Sequence, residues 1–319
     1  MKNLFVLLLS CCISSFTFAE KNIRGSNYQL DDGQIIGISG NNLQRFNTPC
    51  TLPPWNGSPC GNWWQDIPVS TSHRFVCANS DGSAILLDTG SGWGTKVYRY
   101  YGQNNCCELI LELEHRPVFQ PAIIGEYIFY VVQGCDLYKT SLITEQTELV
   151  NENFCYKDLA TDGVNLFTLG HVINGDCCWN CGNTRYSQIW TVNLQTGDLT
   201  DLVCNWRHTC GTVGDAEFFT VSNGYFHISH HDRLMIVDPT PKDSIVYAAE
   251  YCNLPAVRSL SAMQTSSSYS ADLNCSGNVD IDDLLDFISK FGGTFGPADL
   301  NKDGNVDIDD LLILLAQWG

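Results

Sequence analysis

The sequence predicts a mainly β protein that ends in a small helical, ion-binding module. Three observations carry that expectation. Short apolar runs bounded by turn residues recur as far as residue 258, no helical period interrupts them, and residues 272–319 write one acidic loop twice.

The chain opens with Lys2, an apolar run from Leu4 to Cys12, and then Thr17-Phe18-Ala19. That order predicts a signal peptide over 1–19 cleaved after Ala19, and a secreted, extracellular or cell-surface protein. An alternative is lipid attachment at Cys11, behind Leu8-Leu9-Ser10. Of the 16 cysteines, 14 lie beyond residue 19. In an oxidising compartment this even number predicts several disulfides. Cys50 with Cys60 and Cys204 with Cys210 would close short loops. The neighbouring pairs Cys106-Cys107 and Cys177-Cys178 leave the remaining connectivity open.

Residues 20–258 form the predicted β domain. "QIIGIS" (34–39), "SAILLD" (83–88), "KVYRYY" (96–101), "YIFYVV" (127–132), "QIWTVNL" (188–194), "YFHIS" (225–229) and "RLMIVD" (233–238) read as strands, and "NLQTGD" and "VSNG" read as turns between strands. A loose repeat runs through them. Aligning Leu43, Leu87, Leu137, Ile189 and Leu234 gives spacings of 44, 50, 52 and 45 residues. That period suits one four-stranded propeller blade per repeat, about five blades in all. A β-sandwich with hairpins of similar length is the alternative. The hairpin pattern over 34–250 resembles that of bacterial β-propeller proteins.

Residues 259–271 are Ser-rich and read as a linker. The tail then places Asp272, Asn274, Ser276, Asn278, Asp280 and Asp283 at positions 1, 3, 5, 7, 9 and 12 of one loop. Asp299, Asn301, Asp303, Asn305, Asp307 and Asp310 fill the same positions of a second. This is the spacing of an EF-hand calcium loop: short oxygen-bearing side chains turned inward from a tight turn, with a glycine at position 6 (Gly277, Gly304). Two Ca²⁺ ions are the expected cofactors. Val279 and Val306, at position 8, are placed to pack the loops together. A helix is expected after each loop, with Leu284, Phe287/Ile288 and Phe291 on one face of the first and Leu311, Leu314/Leu315 and Trp318 on one face of the second. The aspartates at the helix starts suit the helix dipole.

Two calcium loops, each followed but not preceded by a helix, resemble the type I dockerin domain over 272–319. The resemblance implies antiparallel packing of the two units, two structural Ca²⁺ ions, and docking to a cohesin-like or other surface protein. It also implies that the partner is read by positions 10 and 11, here Ile281 with Asp282 and Ile308 with Asp309. Dockerins often carry a Ser-Thr type pair there, and Ile-Asp departs from it. Cys275, at position 4, would point away from the ion.

The formal net charge is −18, and residues 271–319 hold ten Asp against Lys290 and Lys302. This balance offers no basic footprint for nucleic acid, and no segment is long and apolar enough to span a membrane as a helix. "CCWNC" (177–181) with Cys204, His208 and Cys210 lacks a second zinc-type pair, so disulfides are the better reading. "HISHHD" (227–232) reads as a polar hairpin turn. Glycoside cleavage needs two carboxylates across a cleft. Glu112, Glu126, Asp176, Asp215 and Glu217 are available, and Trp55, Trp63 and Trp64 offer faces on which sugar could stack or with which the domain could be plugged. The expected function is a tethered β domain that binds an extracellular ligand, carbohydrate among the candidates. A glycoside hydrolase, or accessory protein of polysaccharide degradation, and a structural surface protein with a calcium-stabilised tail are the alternatives.

Overall fold

The computed structural model of the protein describes residues 35–39, 42–46, 64–70, 73–79, 83–89, 94–100, 107–154, 156, 158–173, 176–177, 186–207, 218–230, 233–239, 246–252, 257–262, 270–274, 276 and 278–319. The expected signal peptide, Trp55, Trp63, Asp215, Glu217, Cys275, Gly277 and most of the cysteines expected to pair lie outside them.

β1 (Ile35–Ser39), β2 (Asn42–Phe46) and β3 (Trp64–Ser70) begin the first blade. β4 (Phe75–Ala78), β5 (Ala84–Asp88), β6 (Thr95–Tyr100) and β7 (Cys107–Leu113) make the second. β8 (Ala122–Ile124), β9 (Tyr127–Val131), β10 (Leu137–Ser141) and β11 (Thr147–Asn151) make the third. The fourth holds β12 (Leu159–Thr161), β13 (Leu166–Ile173), β14 (Asp176–Cys177), β15 (Tyr186–Val192) and β16 (Leu199–Arg207), with β14 pairing only with β13. β17 (Phe218–Ser222), β18 (Tyr225–His230), β19 (Arg233–Asp238) and β20 (Val246–Cys252) make the fifth. β21 (Val257–Ala262) then returns to pair antiparallel with β1.

That return closes the ring. The innermost strands β21, β4, β8, β12 and β17 stand side by side around the centre. The architecture is a five-bladed β-propeller, not a sandwich, and closure leaves only short outer edges exposed to pairing. It also corrects the linker. Residues 259–262 belong to the closing strand: Leu260 is fully buried, and the Oγ atoms of Ser259 and Ser261 accept from the N–H groups of Val76 and Ala78 at 2.8 and 2.9 Å. The serines that read as solvent-loving link the first blade to the second. Gln120 extends the link, donating from Nε2 to the Val76 carbonyl at 2.9 Å while its own N–H donates to Asp158 of the fourth blade at 2.8 Å.

The cores sit between blades. Ile36, Ile38 and Leu43 pack with Val76, Leu86 and Tyr100 across the first junction. Phe167, Leu169 and Ile189 pack with Phe219, Phe226 and Ile228 across the fourth. Four of the five aligned apolar positions fall on the third strand of their blade; Leu87 falls on the second strand of its blade and pairs with Val97, the true equivalent. Both residues are fully buried, so the apolar pattern alone could not separate the two strands.

Beyond the ring, α1 (Ile281–Lys290) and α2 (Ile308–Ala316) follow the two acidic loops, as expected, and no helix precedes either loop among the described residues. Ala271, Leu273, Val279, Phe287, Ala298, Leu300, Val306 and Leu314 form their shared core, so the position-8 valines do pack together. The two units brace each other reciprocally: Gly292 N–H donates to the Val306 carbonyl at 2.8 Å, and Gly319 N–H to the Val279 carbonyl at 3.2 Å. The buried helix faces are narrower than expected. Phe287 and Leu314 are fully buried, whereas Ile288, Phe291, Leu315 and Trp318 stand exposed.

Candidate metal and docking site

Each acidic loop is organised by its first and last carboxylates. In the second loop, Asp299 Oδ1 accepts from Asp303 N–H at 3.1 Å and Oδ2 from Gly304 N–H at 2.9 Å. Asp310 Oδ1 accepts from Asn301 N–H at 3.0 Å and Oδ2 from Asp307 N–H at 2.8 Å. The first loop repeats the pattern. Asp272 accepts from Ser276 N–H at 2.9 Å, and Asp283 accepts from Asn274 and Asp280 N–H groups at 3.1 and 2.8 Å. Asn274 and Asn301, at position 3, each accept from the N–H two residues on, at 2.9 Å. Ser276 Oγ donates to the Asn278 carbonyl at 3.1 Å, and Asp303 Oδ1 accepts from Asn305 N–H at 2.9 Å.

Positions 9 and 12 also start the helices. Asp280 caps α1 and Asp307 caps α2, and each forms a capping box with the aspartate three residues on. The twelve residues expected around two ions therefore form two matching loops, with Gly304 at φ +94° making the second turn. A side chain at Gly304 would also press on the Phe295 ring, 3.0 Å from its Cζ.

The chemistry of these donors fits a hard, oxygen-seeking cation. Asp283, Asp299 and Asp310 are at most 1 % exposed. Buried carboxylates normally have a cation or a dense set of donors beside them, and here the beside-lying groups are backbone amides and other aspartates. Burial pushes the Asp299 carboxyl up to about 7, against the bond from Gly304 N–H, with Asp310, Asp303 and Asp162 adding to the push. Burial also raises Asp310. Among the described residues, no three His, Cys, Asp or Glu side chains meet as a metal-holding group. The carboxylates turn instead to backbone amides of their own loops.

The outer faces of the helices are apolar and matched. Ile281, Leu285 and Ile288 on α1, and Ile308, Leu312 and Leu315 on α2, are 49–58 % exposed. The i, i+4, i+7 spacing puts each trio on one helical face. Ile281 and Ile308 are the position-10 residues named above. Sequence patterning merged this face with the buried one, because leucines and isoleucines line both.

The other sequence candidates separate. Glu112 lies on β7, the outermost strand of its blade, paired with Lys96 at 3.8 Å, so it cannot face a central mouth. Glu126 lies on the β8–β9 turn; the side chains of Asp176 and Trp64 lie outside the described set. The Cys77 thiol donates to the Pro121 carbonyl at 3.3 Å and stands outside any bridge; burial raises it. His227, read as part of a polar turn, is instead a buried residue of β18. Its Nδ1 lies 3.2 Å from the Tyr225 carbonyl, and burial lowers its pKa to about 4. No helix of the described residues is long and apolar enough to cross a membrane.

No family model and no curated protein matches the chain. Solved structures with similar folds include TolB from Acinetobacter baumannii (8 % identity, TM-score 0.38, covering 69 % of this chain and 54 % of that one). The WD40 domain of Pan2 from Neurospora crassa is similar at 12 % identity and TM-score 0.33, covering 73 % and 63 %. BamB from Moraxella catarrhalis is similar at 13 % and 0.30, covering 70 % and 61 %. The chain thus spans under two thirds of the length of these structures, and the propeller assignment rests on its own strand pairing.

Proposed function

We propose that this is an exported propeller held in place by a dockerin-like calcium module. In this reading the module attaches the protein to a cohesin-like or other surface protein, and the propeller binds an extracellular ligand, carbohydrate among the candidates. One observation carries the reading: the matched apolar trios on α1 and α2. A small acidic module has no folding reason to expose six large apolar side chains, and an exposed apolar patch of this kind marks a protein contact.

Asp272, Asn274, Ser276, Asn278, Asp280 and Asp283 would hold one ion, and Asp299, Asn301, Asp303, Asn305, Asp307 and Asp310 the other. The ions would supply positive charge to carboxylates that the fold buries together. The loops set the pitch of the helices through their capping boxes, and the helices present Ile281 and Ile308 with Asp282 and Asp309 beside them.

The test is capture of a surface protein by the full chain, in calcium and in chelator, with an Ile281→Lys/Ile308→Lys variant alongside. Capture that needs calcium and is lost in the variant supports the reading. Capture that is the same in chelator, or the same for the variant, contradicts it.

A further inference from the structure

The two loops repeat almost the same sequence, and the second lies against the propeller. At position 4 the first loop has Cys275 and the second has Lys302. Lys302 is 2 % exposed, and its Nζ donates to the Asp162 carbonyl at 2.8 Å, in the β12–β13 turn of the fourth blade. From the same turn, Asn165 Nδ2 donates back to the Lys302 carbonyl at 3.0 Å. Asp162 holds that turn rigid by accepting from the N–H groups of Val164 and Asn165 at 2.9 and 2.7 Å.

Three more contacts surround this one. Phe295 meets Phe167 edge to face, with centroids 5.9 Å apart. Gly224, in the β17–β18 turn of the fifth blade, lies so close to the tail that an added Cβ would come within 2.5 Å of the Gly296 carbonyl carbon and 2.6 Å of Pro297 Cα. Lys290, at the end of α1, lies 3.6 Å from Asp238 and 3.2 Å from Asp286, with its Nζ 6.0 Å from the centre of the Tyr225 ring. A narrow cleft between tail and ring is lined by Asp162, Phe167, Gly224, Pro239, Gly296 and Asp299.

We propose that the second loop is a calcium-linked latch: it fastens the tail to the rim of the fourth and fifth blades, and occupancy of that loop by Ca²⁺ and docking on the rim strengthen each other. This rests on the calcium reading above. Lys302 stands at φ +61°, in the left-handed region, and docking pins its Nζ and its carbonyl to the rim. The turn from Asp299 to Gly304, closed by the loop's own bonds to Asp299 and Asn301, is thereby braced from outside before any ion arrives. The rim also covers Asp299, which is 1 % exposed, whereas its counterpart Asp272 is half-buried. An ion entering a preset, desolvated loop gains more than one that must first order the chain, and linkage makes the gain reciprocal. The tail then presents its apolar trios from a fixed platform, with no swinging tether.

The test uses the full chain with calcium as the probe. Lys302→Asn keeps a residue that tolerates the left-handed backbone but cannot reach Asp162. Asn165→Ala breaks the latch from the propeller side and leaves the loop sequence intact. Calcium titration calorimetry is expected to show two ions in all three chains, with one site weakened at least ~5-fold in each variant and the other unchanged. Hydrogen exchange at 162–165 is expected to slow with calcium in the parent chain and to lose that response in both variants. Unchanged affinities at both sites, or exchange at 162–165 indifferent to calcium, overturns the latch while the calcium reading stands. A parent chain that takes up no calcium overturns both.

Discussion

The two loop–helix units share their spacing, capping boxes and core, and differ in what lies outside them. The first loop is half open to solvent at Asp272. The second is closed over by the fourth and fifth blades, with Asp299 and Lys302 buried. A sequence repeat therefore does not imply equivalent sites. One difference at position 4, lysine in place of cysteine, places a long cation where a rim carbonyl can receive it, beside the contacts of Phe295, Gly296 and Lys290.

The largest expected effect removes what the units have in common. Phe287 and Leu314 fill the shared core, so Phe287→Ala should cost about 3–5 kcal/mol. Both helices should melt together in chemical denaturation followed by circular dichroism. Loss of α1 alone would show that the units fold separately and that the reciprocal bonds through Val279 and Val306 carry little.

Acid should act next, on the fifth blade. His227 is buried in β18, the strand that begins at Tyr225 beside Lys290. Its folded pKa of about 4 lies below the ordinary 6.5. Between those values the unfolded chain binds the proton and the folded chain does not. Its contribution is therefore fully present above pH 6.5 and is lost as pH falls towards 4, on the order of 3 kcal/mol in all. Hydrogen exchange at pH 5 should rise first in the fifth blade around β18, and His227→Gln should flatten the acid limb.

Smaller changes test each loop in turn. Asp283→Ala and Asp310→Ala each remove two bonds to backbone N–H groups and one capping box, for about 1–3 kcal/mol. The second should also loosen the rim contact and the first should not; differential scanning calorimetry with exchange mapping distinguishes them. The smallest effect is expected from Ile281→Lys/Ile308→Lys, which touches only exposed positions. Thermal stability should stay within about 0.5 kcal/mol, so that any loss of capture reports docking and not folding.

Seven of the 21 described strands were legible in the sequence as apolar runs bounded by Gly, Asn and Asp turns. The helices were legible from the loop spacing. The closing strand was not. "SLSA" reads as linker because Ser259 and Ser261 satisfy backbone groups of a neighbouring blade, a contact more than 180 residues away in the chain. Leu87 was misaligned because it and its cross-strand neighbour Val97 are both fully buried. The role of Lys302 was hidden for the same reason as that of the closing strand: its partner, Asp162, belongs to a distant turn. His227 looked polar beside Ser229, His230, His231 and Asp232, while its strand neighbours Phe226 and Ile228 carried it into the interior.

The most direct test of the calcium reading is titration of the full chain with Ca²⁺ in a calorimeter. Two ions bound by the parent chain, and one by each of Asp283→Ala and Asp310→Ala, is the predicted result. No uptake at millimolar calcium, or a stoichiometry that neither substitution changes, would contradict it.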